Sequence, residues 1–287
     1  MRVTVLGAGY MGSAMAKVAA QRGHAVTLWG TWLDNALLDV VLEGKPHPRL
    51  GLALSELRLC RAEELPEALC NAELVIHAVS SEGAVAVMTR AAPYLPDVPV
   101  LSVTKGFLAN ADGQMDRIDR VIPEVLGRAV RFVHAAGPAK AVEIARGVLT
   151  LMVFAGVDAM ACRDALAGGN LRVGVTNDIA GAEIASALKN AYATGLGLWD
   201  GLGHVSGAHN ARAACFAQAI HEMCRLACAG GGRAETIYGA AGVGDLHVTA
   251  AAGRNRAFGE RVGKGKPARD VAAEMLASGE LTEGYAA

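Results

Sequence analysis

The chain has 287 residues, a length that allows two domains, and 52% of its residues are hydrophobic. With 35 glycines and only 5% aromatic residues, this composition indicates a tightly turned α/β protein and excludes a disordered one. The 27 basic and 28 acidic residues nearly cancel, which excludes the electrostatic footprint of a nucleic-acid-binding protein. Any anionic ligand must therefore be held by local donors.

Neither a leader nor a membrane span is evident in the sequence. Met1 is followed at once by a strand-like stretch, and no uncharged apolar run reaches the roughly 18 residues of a membrane span. The six cysteines contain no CxxC pair, so we expect reduced thiols rather than disulfides. His221, Cys224 and Cys228 would share one helix face, which we interpret as buried because no second ligand pair accompanies it. We therefore expect a cytoplasmic protein without a bound metal.

Strand and helix patterns alternate through the first part of the chain. Short apolar runs typical of buried strands cover residues 3–6, 25–29, 74–79, 98–103, 130–134 and 149–154. Helical patterns follow the first two strands, over residues 11–22 and 34–42. This alternation predicts a parallel, doubly wound sheet. From about residue 177 the patterns are helical, over residues 180–195, 208–229, 256–262 and 268–278. We place a domain boundary near residue 178.

A glycine-rich loop follows the first predicted strand. The stretch Gly7-Ala8-Gly9-Tyr10-Met11-Gly12 leads from that strand into the first predicted helix. Glycines there permit a sharp turn, close approach of a pyrophosphate and close packing of helix on strand. The helix start adds free N–H donors and the positive end of a dipole. The motif in this context predicts a dinucleotide site rather than a ligand-free turn.

The end of the second strand normally selects between NAD and NADP. An acid there binds the ribose hydroxyls of NAD and repels the 2′-phosphate of NADP. Here the strand runs into Trp29-Gly30-Thr31-Trp32, and the first acid is Asp34. No arginine stands in this turn to bind a 2′-phosphate. The pattern permits NADP and mildly favours it, but leaves the choice open.

Further polar groups stand in apolar surroundings. Thr104-Lys105-Gly106 follows a predicted strand, and ligands gather at the carboxyl ends of strands in open α/β sheets. Gly137-Pro138-Ala139-Lys140-Ala141 is a tight turn that can present backbone N–H groups. Lys189 lies on a helix among Ala, Leu and Tyr192, where a lowered pKa would suit proton exchange with an alcohol. The alternative for each lysine is an ordinary solvated side chain.

The last such stretch joins Gly244-Asp245-Leu246 to Gly253-Arg254-Asn255-Arg256. The N–H donors of a guanidinium suit a phosphate, and a carboxylate suits a hydroxyl or an ammonium group. The alternative for Arg254 is a surface salt bridge. Together with the glycine loop, this stretch suggests redox chemistry on a small phosphorylated alcohol.

In these motifs the chain resembles the NAD(P)-dependent sn-glycerol-3-phosphate dehydrogenases. The matching stretches are residues 7–12, 104–106, 137–143, 188–190, 242–246, 254–256 and 282–285, with residues 45–50 similar to archaeal-type members. The resemblance implies a Rossmann-type, doubly wound domain over residues 1–178 and an all-α substrate-binding domain over residues 179–287. It also implies an NAD(P)-dependent enzyme of glycerophospholipid synthesis, a small phosphorylated substrate and a homodimer.

The resemblance also assigns roles to individual residues. Lys189 is expected to act as general base toward the C2 hydroxyl, Lys105 to polarise the developing carbonyl, and Asp245 to orient the lysines. The expected substrate contacts, with Arg254 and Asn255 on the phosphate, are Lys105, Gly137, Ala139, Lys189, Asn190, Asp245, Thr249, Gly253, Arg254 and Asn255. The expected cofactor contacts are Gly7, Gly9, Tyr10, Met11, Gly12, Thr31, Lys105, Ala141, Arg254, Leu281 and Glu283.

Two alternatives to this function stay open. One is a related reductase of another small keto or hydroxy acid, such as a ketopantoate reductase or a 3-hydroxyacid dehydrogenase. The other is a truncated protein that binds the cofactor without turnover. Members of the family usually continue for some tens of residues beyond Glu283-Gly284-Tyr285, so we expect a helical domain shortened at its C-terminus. Ala139 stands where many members carry a hydroxyl residue, a change that a backbone contact would survive.

Overall fold

The structure, a computed structural model, describes residues 1–202, 209–278 and 280. The chain forms two compact units. The first comprises Met1–Ala135 and Ala139–Ile179, and the second comprises Ala136–Pro138 and Ala180–Ala287. The short segment 136–138 thus belongs with the helical unit, whereas the sequence analysis placed it in the first domain.

A large parallel sheet forms the centre of the first unit. Its strands are β1 (Arg2–Leu6), β2 (Ala25–Trp29), β3 (Arg58–Cys60), β4 (Leu74–His77), β5 (Val100–Ser102), β8 (Phe132–Ala136), β9 (Thr150–Ala155) and β10 (Leu171–Thr176), while β6 (Leu108–Ala109) and β7 (Met115–Asp116) form a separate antiparallel pair. The spatial order is β10-β9-β8-β5-β4-β1-β2-β3. The chain moves from β1 outward to β3 and then returns to β4 on the other side of β1. This reversal makes the space beyond β1 and β4 a topological switch point, where open α/β sheets bind ligands.

Helices connect the strands of the first unit. They are α1 (Tyr10–Gln21), α2 (Asn35–Leu42), α3 (Leu65–Leu69), α4 (Ser81–Ala91), α5 (Ile118–Leu126), α6 (Ala141–Ala145) and α7 (Ala159–Leu166), with a 3₁₀ turn at Ala62–Glu64. All four residues of β4 are buried, as expected for a parallel strand covered on both faces. One hydrophobic cluster includes Met15 and Leu28, and a second includes Trp29 and Leu65. Successive residues of β2 therefore enter different clusters, because strand side chains alternate between faces.

From Ala180 onward, the regular elements of the second unit's described residues are all helices. Its helices are α8 (Ile179–Gly201), α9 (His209–Ala229), α10 (Ala234–Tyr238), α11 (Asp245–Ala252), α12 (Arg254–Gly263) and α13 (Ala268–Ala277), with a π-helical turn at Ala240–Gly244. The predicted doubly wound sheet followed by a helical region is confirmed. Within the described residues, no helix combines the length and the apolar character that crossing a membrane requires.

Several elements differ from the sequence-based prediction. The elements that were not predicted are the strands β3, β6, β7 and β10 and the helices α3, α4, α5, α6, α7, α10 and α11. The strand predicted over residues 74–79 ends at His77, and its last two residues form the loop facing the glycine motif. The helix predicted to start at Arg256 begins at Arg254, with Gly253 as its N-cap.

Helices α8 and α12 pack at very short distance through glycines. A Cβ added to Gly197 or Gly201 of α8 would lie 2.2 Å from a backbone oxygen of α12. A Cβ added to Gly259 or Gly263 of α12 would lie 2.0 Å or 2.4 Å from a backbone oxygen of α8. Each helix thus carries two glycines four residues apart, on the face that meets the other. This contact fixes the start of α12 relative to α8.

Candidate functional site

The glycine loop joins β1 to α1 at the switch point of the sheet. Gly7 has φ of +108°, and a Cβ there would lie 2.7 Å from the Ala78 carbonyl oxygen. A Cβ on Gly12 would lie 1.9 Å from the Gly7 carbonyl oxygen. Both glycines are therefore required by the protein's own packing. A Cβ on Gly9, by contrast, would meet nothing within 4 Å.

Packing within the protein requires glycine at positions 7 and 12 but not at position 9, so a need for glycine at position 9 would come from a ligand. It is the N-cap of α1 and supplies no side-chain cap to the free N–H groups of the first turn. A side chain at this position would project into the open space in front of those donors. In dinucleotide folds a glycine at such a helix start lets the pyrophosphate approach the bare backbone. Tyr10 and Met11 border the same helix start, as expected of cofactor contacts.

The turn after β2 is organised around Asp34. One carboxylate oxygen, Oδ2, accepts hydrogen bonds from Thr31 N and Thr31 Oγ1, each at 2.8 Å, and from Ala8 N at 3.4 Å. Thr31, an expected cofactor contact, is itself buried. The acid that the sequence analysis found too far along the chain thus folds back onto the glycine loop.

A polar network supports the loop that carries Lys105. His77, at the end of β4, has Nδ1 3.1 Å from Ser102 Oγ and 3.2 Å from Thr104 Oγ1. The Thr104 hydroxyl also donates to the Val79 carbonyl oxygen at 2.8 Å. Burial lowers the pKa of His77 to about 4, so the imidazole is neutral at physiological pH. His77 does not stand out in the sequence, because it lies inside an apolar run.

Lys189 and Asp245 form a buried ion pair in the second unit. The distance from Lys189 Nζ to Asp245 Oδ1 is 2.5 Å, and the two side chains are 9% and 1% exposed. The burial of Lys189 agrees with its predicted surroundings. Nearby on α8, Tyr192 donates to Glu222 Oε2 at 3.0 Å, and burial together with that bond raises the pKa of Tyr192 to about 12. The Tyr192 phenol is therefore protonated at physiological pH.

Asp245 stands at a distorted helix start. It is the first residue of α11 and follows the π-helical turn at Ala240–Gly244. Such irregular helix segments are frequent at functional sites. A Cβ on Gly244 would lie 3.5 Å from Pro138 Cδ, so the predicted turn around Gly137 packs directly beside Asp245. Gly137 has φ of +109°, a conformation that favours glycine.

Arg254 and Asn255 occupy the first turn of α12. Arg254 is exposed and Asn255 is buried. Throughout the described ranges, no carboxylate pairs with Arg254, so the alternative of a surface salt bridge is not observed there. The helix start and the guanidinium together provide the donors that a phosphate requires. Arg256, in contrast, is engaged, since its Nε donates to Asp200 Oδ2 at 2.7 Å.

The remaining predicted residues are distributed as follows. Thr249 is on α11, but its hydroxyl donates to the Asp245 carbonyl oxygen at 2.7 Å and would have to turn to reach a phosphate. Asn190 is buried on α8, next to Lys189. Lys105, Ala139 and Ala141 belong to the first unit, and Ala141 is the first residue of α6. Leu281 and Glu283 lie outside the described residues.

The face formed by His221, Cys224 and Cys228 is only partly what the sequence predicted. Cys224 is buried, but His221 and Cys228 are exposed, so the interpretation as a buried face is wrong for two of the three. The buried face of helix α9 is too narrow to include all three positions. Among the residues that the structure describes, no group of three or more His, Cys, Asp or Glu side chains could hold a metal ion.

Comparison with known proteins identifies relatives along nearly the whole chain. Residues 2–162 match the family NAD-dependent glycerol-3-phosphate dehydrogenase N-terminus, and residues 178–287 match the corresponding C-terminus family. The NADP(+)-dependent glycerol-3-phosphate dehydrogenase of Archaeoglobus fulgidus is 35% identical, over 99% of this chain and 87% of that protein. The glycerol-3-phosphate dehydrogenase [NAD(P)+] of Thiobacillus denitrificans is 38% identical, over 99% and 85%. A crystal structure of glycerol-3-phosphate dehydrogenase from Coxiella burnetii has a TM-score of 0.84 at 29% identity, covering 99% of this chain and 86% of that one.

Proposed function

The chain belongs to the NAD-dependent glycerol-3-phosphate dehydrogenase family, and on that premise we propose that it interconverts sn-glycerol 3-phosphate and dihydroxyacetone phosphate by hydride transfer with NAD(P). The observation that carries the proposal is the buried ion pair of Lys189 and Asp245. Stability of the fold does not explain this pair. A buried ion pair contributes little net stability compared with well-packed apolar residues. Its presence is better explained by a reaction that needs a mobile proton at a fixed place.

Lys189 is the proposed proton-transfer residue. Oxidation of the secondary alcohol releases a proton from oxygen while the nicotinamide accepts the hydride from carbon. A lysine amine takes that proton, and in the reverse direction the ammonium group gives it back to the forming alkoxide. Asp245 holds the lysine nitrogen at 2.5 Å and so limits where it can point. The role of Lys105, polarising the developing carbonyl, stays a prediction from the family resemblance.

The start of α12 is the proposed phosphate site. Three features support it: the N–H groups of a helix start, which have no acceptor within the helix, the Arg254 side chain without a carboxylate among the described residues, and the buried Asn255. A phosphate needs donors, and the helix start, the Arg254 guanidinium and the amide group of Asn255 can supply them. The glycines of α8 and α12 keep the site at a constant distance from the helix of Lys189. Binding of the phosphate at this site would hold the substrate in a fixed position relative to Lys189.

The dinucleotide belongs at the glycine loop of the first unit. Gly7, Gly9 and Gly12 would shape the turn, and Tyr10 and Met11 would border the pyrophosphate. Thr31, Lys105, Ala141, Arg254, Leu281 and Glu283 remain predicted cofactor contacts. The relatives named above are described as dependent on NADP(+) or NAD(P)+. NAD(P) is therefore the cofactor class, and the product would serve glycerophospholipid synthesis.

The experiment that tests this function follows absorbance loss of NADH and of NADPH separately on addition of dihydroxyacetone phosphate. We expect oxidation that depends on the ketone and is at least about 100-fold less efficient with unphosphorylated dihydroxyacetone, because the Arg254 site then lacks its anion. Equal rates with both ketones would contradict phosphate recognition. Oxidation with ketopantoate instead would favour the related reductases, and cofactor binding without any oxidation would favour the protein without turnover.

Assembly and location complete the proposal. The family resemblance supports a homodimer in the cytoplasm. Exposed apolar side chains on the helical unit, Trp199, Leu202, Leu226 and Tyr238, are consistent with a surface that another chain covers. Light scattering coupled to size exclusion is expected to give about twice the chain mass of 29.5 kDa. A mass of one chain at micromolar concentration would contradict the dimer.

A further inference from the structure

A single carboxylate, that of Asp200, joins three helices of the second unit. Asp200 lies one residue before the end of α8, and its side chain is 17% exposed. Its Oδ1 accepts a hydrogen bond from Nε of Arg212 on α9 at 3.0 Å. Its Oδ2 accepts one from Nε of Arg256 on α12 at 2.7 Å. Each carboxylate oxygen thus has its own guanidinium partner, and the sequence analysis gave neither Asp200 nor Arg212 a role.

The Arg212 guanidinium extends this connection to a fourth helix. Its Nη2 donates to the Ala250 carbonyl oxygen, in the last turn of α11, at 3.1 Å. The last four carbonyl groups of a helix have no partner within that helix, so the arginine satisfies one of them. Arg212 therefore attaches the end of α11 to Asp200, as Arg256 attaches the beginning of α12.

The residues between these two attachments form the joint of α11 and α12, residues 249–256. α11 ends at Ala252, and Gly253 is both the C-cap of α11 and the N-cap of α12. Gly253 N donates to the Thr249 carbonyl oxygen at 2.8 Å, which closes the joint tightly. The proposed phosphate contacts Thr249, Gly253, Arg254 and Asn255 all lie in this joint. The two arginines thus hold the proposed phosphate site from both sides, and one carboxylate fixes them both.

Close approach of α8 and α12 does not require this acid. A Cβ added to Gly197 would lie 2.2 Å from the Arg256 carbonyl oxygen, and one added to Gly201 would lie 2.2 Å from that of Glu260. The glycines by themselves therefore let the two main chains meet. Ion pairs near a protein surface usually add little stability. The distinct contribution of Asp200 is to fix where the two guanidinium groups point, and hence how the joint is set relative to α8.

The same carboxylate gives the two arginines of α12 different tasks. Arg256 is held by Asp200 and has its Nη1 3.3 Å from Glu260 Oε2, one turn further along α12. Arg254, two residues earlier, has no carboxylate partner within the ranges that the structure describes. A phosphate that enters the joint would therefore meet Arg254, while Arg256 holds the joint in place.

We propose that Asp200 is a positioning residue of the phosphate site. Through its two arginines it fixes the α11–α12 joint, so that Arg254 and Asn255 meet the substrate phosphate in one arrangement. The inference rests on the proposed function, which places the phosphate at the start of α12. Donors that are held in place before binding lose less freedom when the phosphate arrives, which raises the affinity. Asp200 acts through the arginines and does not itself touch the substrate.

Glu260 provides a matched control. It carries the same charge as Asp200 and contacts the same arginine, but it belongs to α12 itself. Its other partner, Lys264, is also near the end of this helix. Glu260→Gln removes a carboxylate from Arg256 without releasing the α11–α12 joint from α8. This variant should therefore leave the KM values within about twofold of those of the wild type.

The test compares a phosphorylated with an unphosphorylated ketone. The kcat and KM for dihydroxyacetone phosphate and for dihydroxyacetone are measured for the wild type, Asp200→Asn, Asp200→Glu and Glu260→Gln. We expect Asp200→Asn to raise the KM for dihydroxyacetone phosphate about 10-fold, as when well-placed donors are displaced. Its kcat, and its kcat/KM for dihydroxyacetone, should stay within about threefold. Asp200→Glu keeps the charge and should recover part of the lost affinity.

A double-variant cycle identifies the residue through which Asp200 acts. Arg254→Ala removes the main donor that Asp200 is proposed to position. On that background, Asp200→Asn should raise the KM for dihydroxyacetone phosphate less than about threefold further, because coupled residues are not additive. A further increase of the full 10-fold would show that Asp200 does not act through Arg254 and would overturn the inference.

The outcomes separate this inference from the proposed function. If the wild type prefers dihydroxyacetone phosphate but Asp200→Asn leaves that preference unchanged, the inference is wrong and the function stands. A loss of stability in urea unfolding with an unchanged preference would mean a purely structural role for Asp200. If the wild type does not distinguish the two ketones, the proposed function fails as well. Should Asp200→Asn not fold, Arg212→Lys replaces it in the test, since lysine keeps the charge but not the fork that joins Asp200 to Ala250. The same fall in preference is then expected, and its absence would contradict the inference.

Discussion

At the scale of single residues, the buried pair of Lys189 and Asp245 is the feature most directly tied to chemistry. Two charges held 2.5 Å apart with little exposure have lost most of their hydration. Their mutual attraction only roughly offsets that loss, and breaking the pair by removing one partner costs about 3–5 kcal/mol. A protein that needed only stability would do as well with apolar side chains here.

Replacing Lys189 with Ala should lower kcat by about a thousandfold, since general acid–base catalysis typically contributes 10²–10⁴. The NAD(P)H dissociation constant should stay within about threefold, because Lys189 belongs to the other unit from the glycine loop. Steady-state kinetics and a fluorescence titration measure the two quantities. The double variant Lys189→Ala with Asp245→Ala removes the unpaired carboxylate and controls for misfolding. Retained turnover with lost nicotinamide binding would contradict the proposed role.

Arg254 should control the affinity for the phosphate rather than the chemical step. We expect Arg254→Ala to raise the KM for dihydroxyacetone phosphate by about 10- to 100-fold, as for loss of a charge-assisted hydrogen bond. The kcat/KM for unphosphorylated dihydroxyacetone should change much less. Steady-state assays with both ketones give the comparison. An equal effect on the two ketones would mean that Arg254 does not contact the phosphate.

At the scale of elements, the glycines of α8 and α12 decide how closely two helices of the second unit approach. Their main chains meet where a single added methyl group has no space. Helix propensity alone would disfavour four glycines at these positions, since each costs about 1 kcal/mol relative to alanine. Their occurrence in matched pairs is explained by the interhelical contact and not by local backbone conformation.

Gly259→Ala should destabilise the fold by about 1–3 kcal/mol, because its Cβ would lie 2.0 Å from the Thr194 carbonyl oxygen and overpack the contact. Gly195→Ala on α8 is the matched control, since a Cβ there meets nothing within 4 Å. That variant should be neutral or stabilised by up to about 1 kcal/mol through helix propensity. Urea unfolding followed by circular dichroism measures both. Equal destabilisation by the two changes would show that the close packing does not matter.

Two of the strands missed from the sequence, β3 and β10, are the two edges of the large sheet. β3 has only three residues, and Leu171 is the one buried residue of β10. The interior strands are buried on both faces and therefore show continuous apolar runs, which the sequence reveals. Edge strands have one side in solvent and so show no such run. The missed elements thus follow from their place in the sheet and not from unusual residues.

At the scale of the whole molecule, a buried histidine links stability to pH. His77 has its pKa lowered from 6.5 to about 4 by burial, so the folded state takes up its proton at a lower pH than the unfolded state does. The contribution of His77 to the free energy of unfolding is fully present above pH 6.5 and is lost as the pH falls toward 4. The loss amounts to about 3 kcal/mol by linkage.

Chemical unfolding at pH 7.5 and at pH 4.5 should show this dependence, and His77→Gln should show less of it. The variant is expected to start from a lower stability at pH 7.5, because Gln fits the contacts of Ser102 and Thr104 less well. The quantity compared is the change in the free energy of unfolding between pH 7.5 and pH 4.5, determined for each protein. An identical difference in the wild type and the variant would contradict the assignment to His77.

The sequence by itself determined the elements that depend on neighbours along the chain. The glycine loop, the interior strands and the long helices were predictable because backbone conformation and burial period are local properties. The polar motifs at Lys105, Lys189, Asp245 and Arg254 could be selected for the same reason, since each stands out from its own surroundings. The family resemblance then joined them into one function.

Only the tertiary structure decided which of these residues meet. Lys189 and Asp245 are 56 positions apart, and only the family resemblance, not either stretch by itself, suggested that Asp245 orients the lysine. Asp200 reaches Arg256, and Asp34 turns back onto the glycine loop, because the packing of helices and loops brings them there. Pairing between elements depends on the distances that a packed core imposes. The sequence shows the chemistry of each side chain but not its distance from other side chains in the fold.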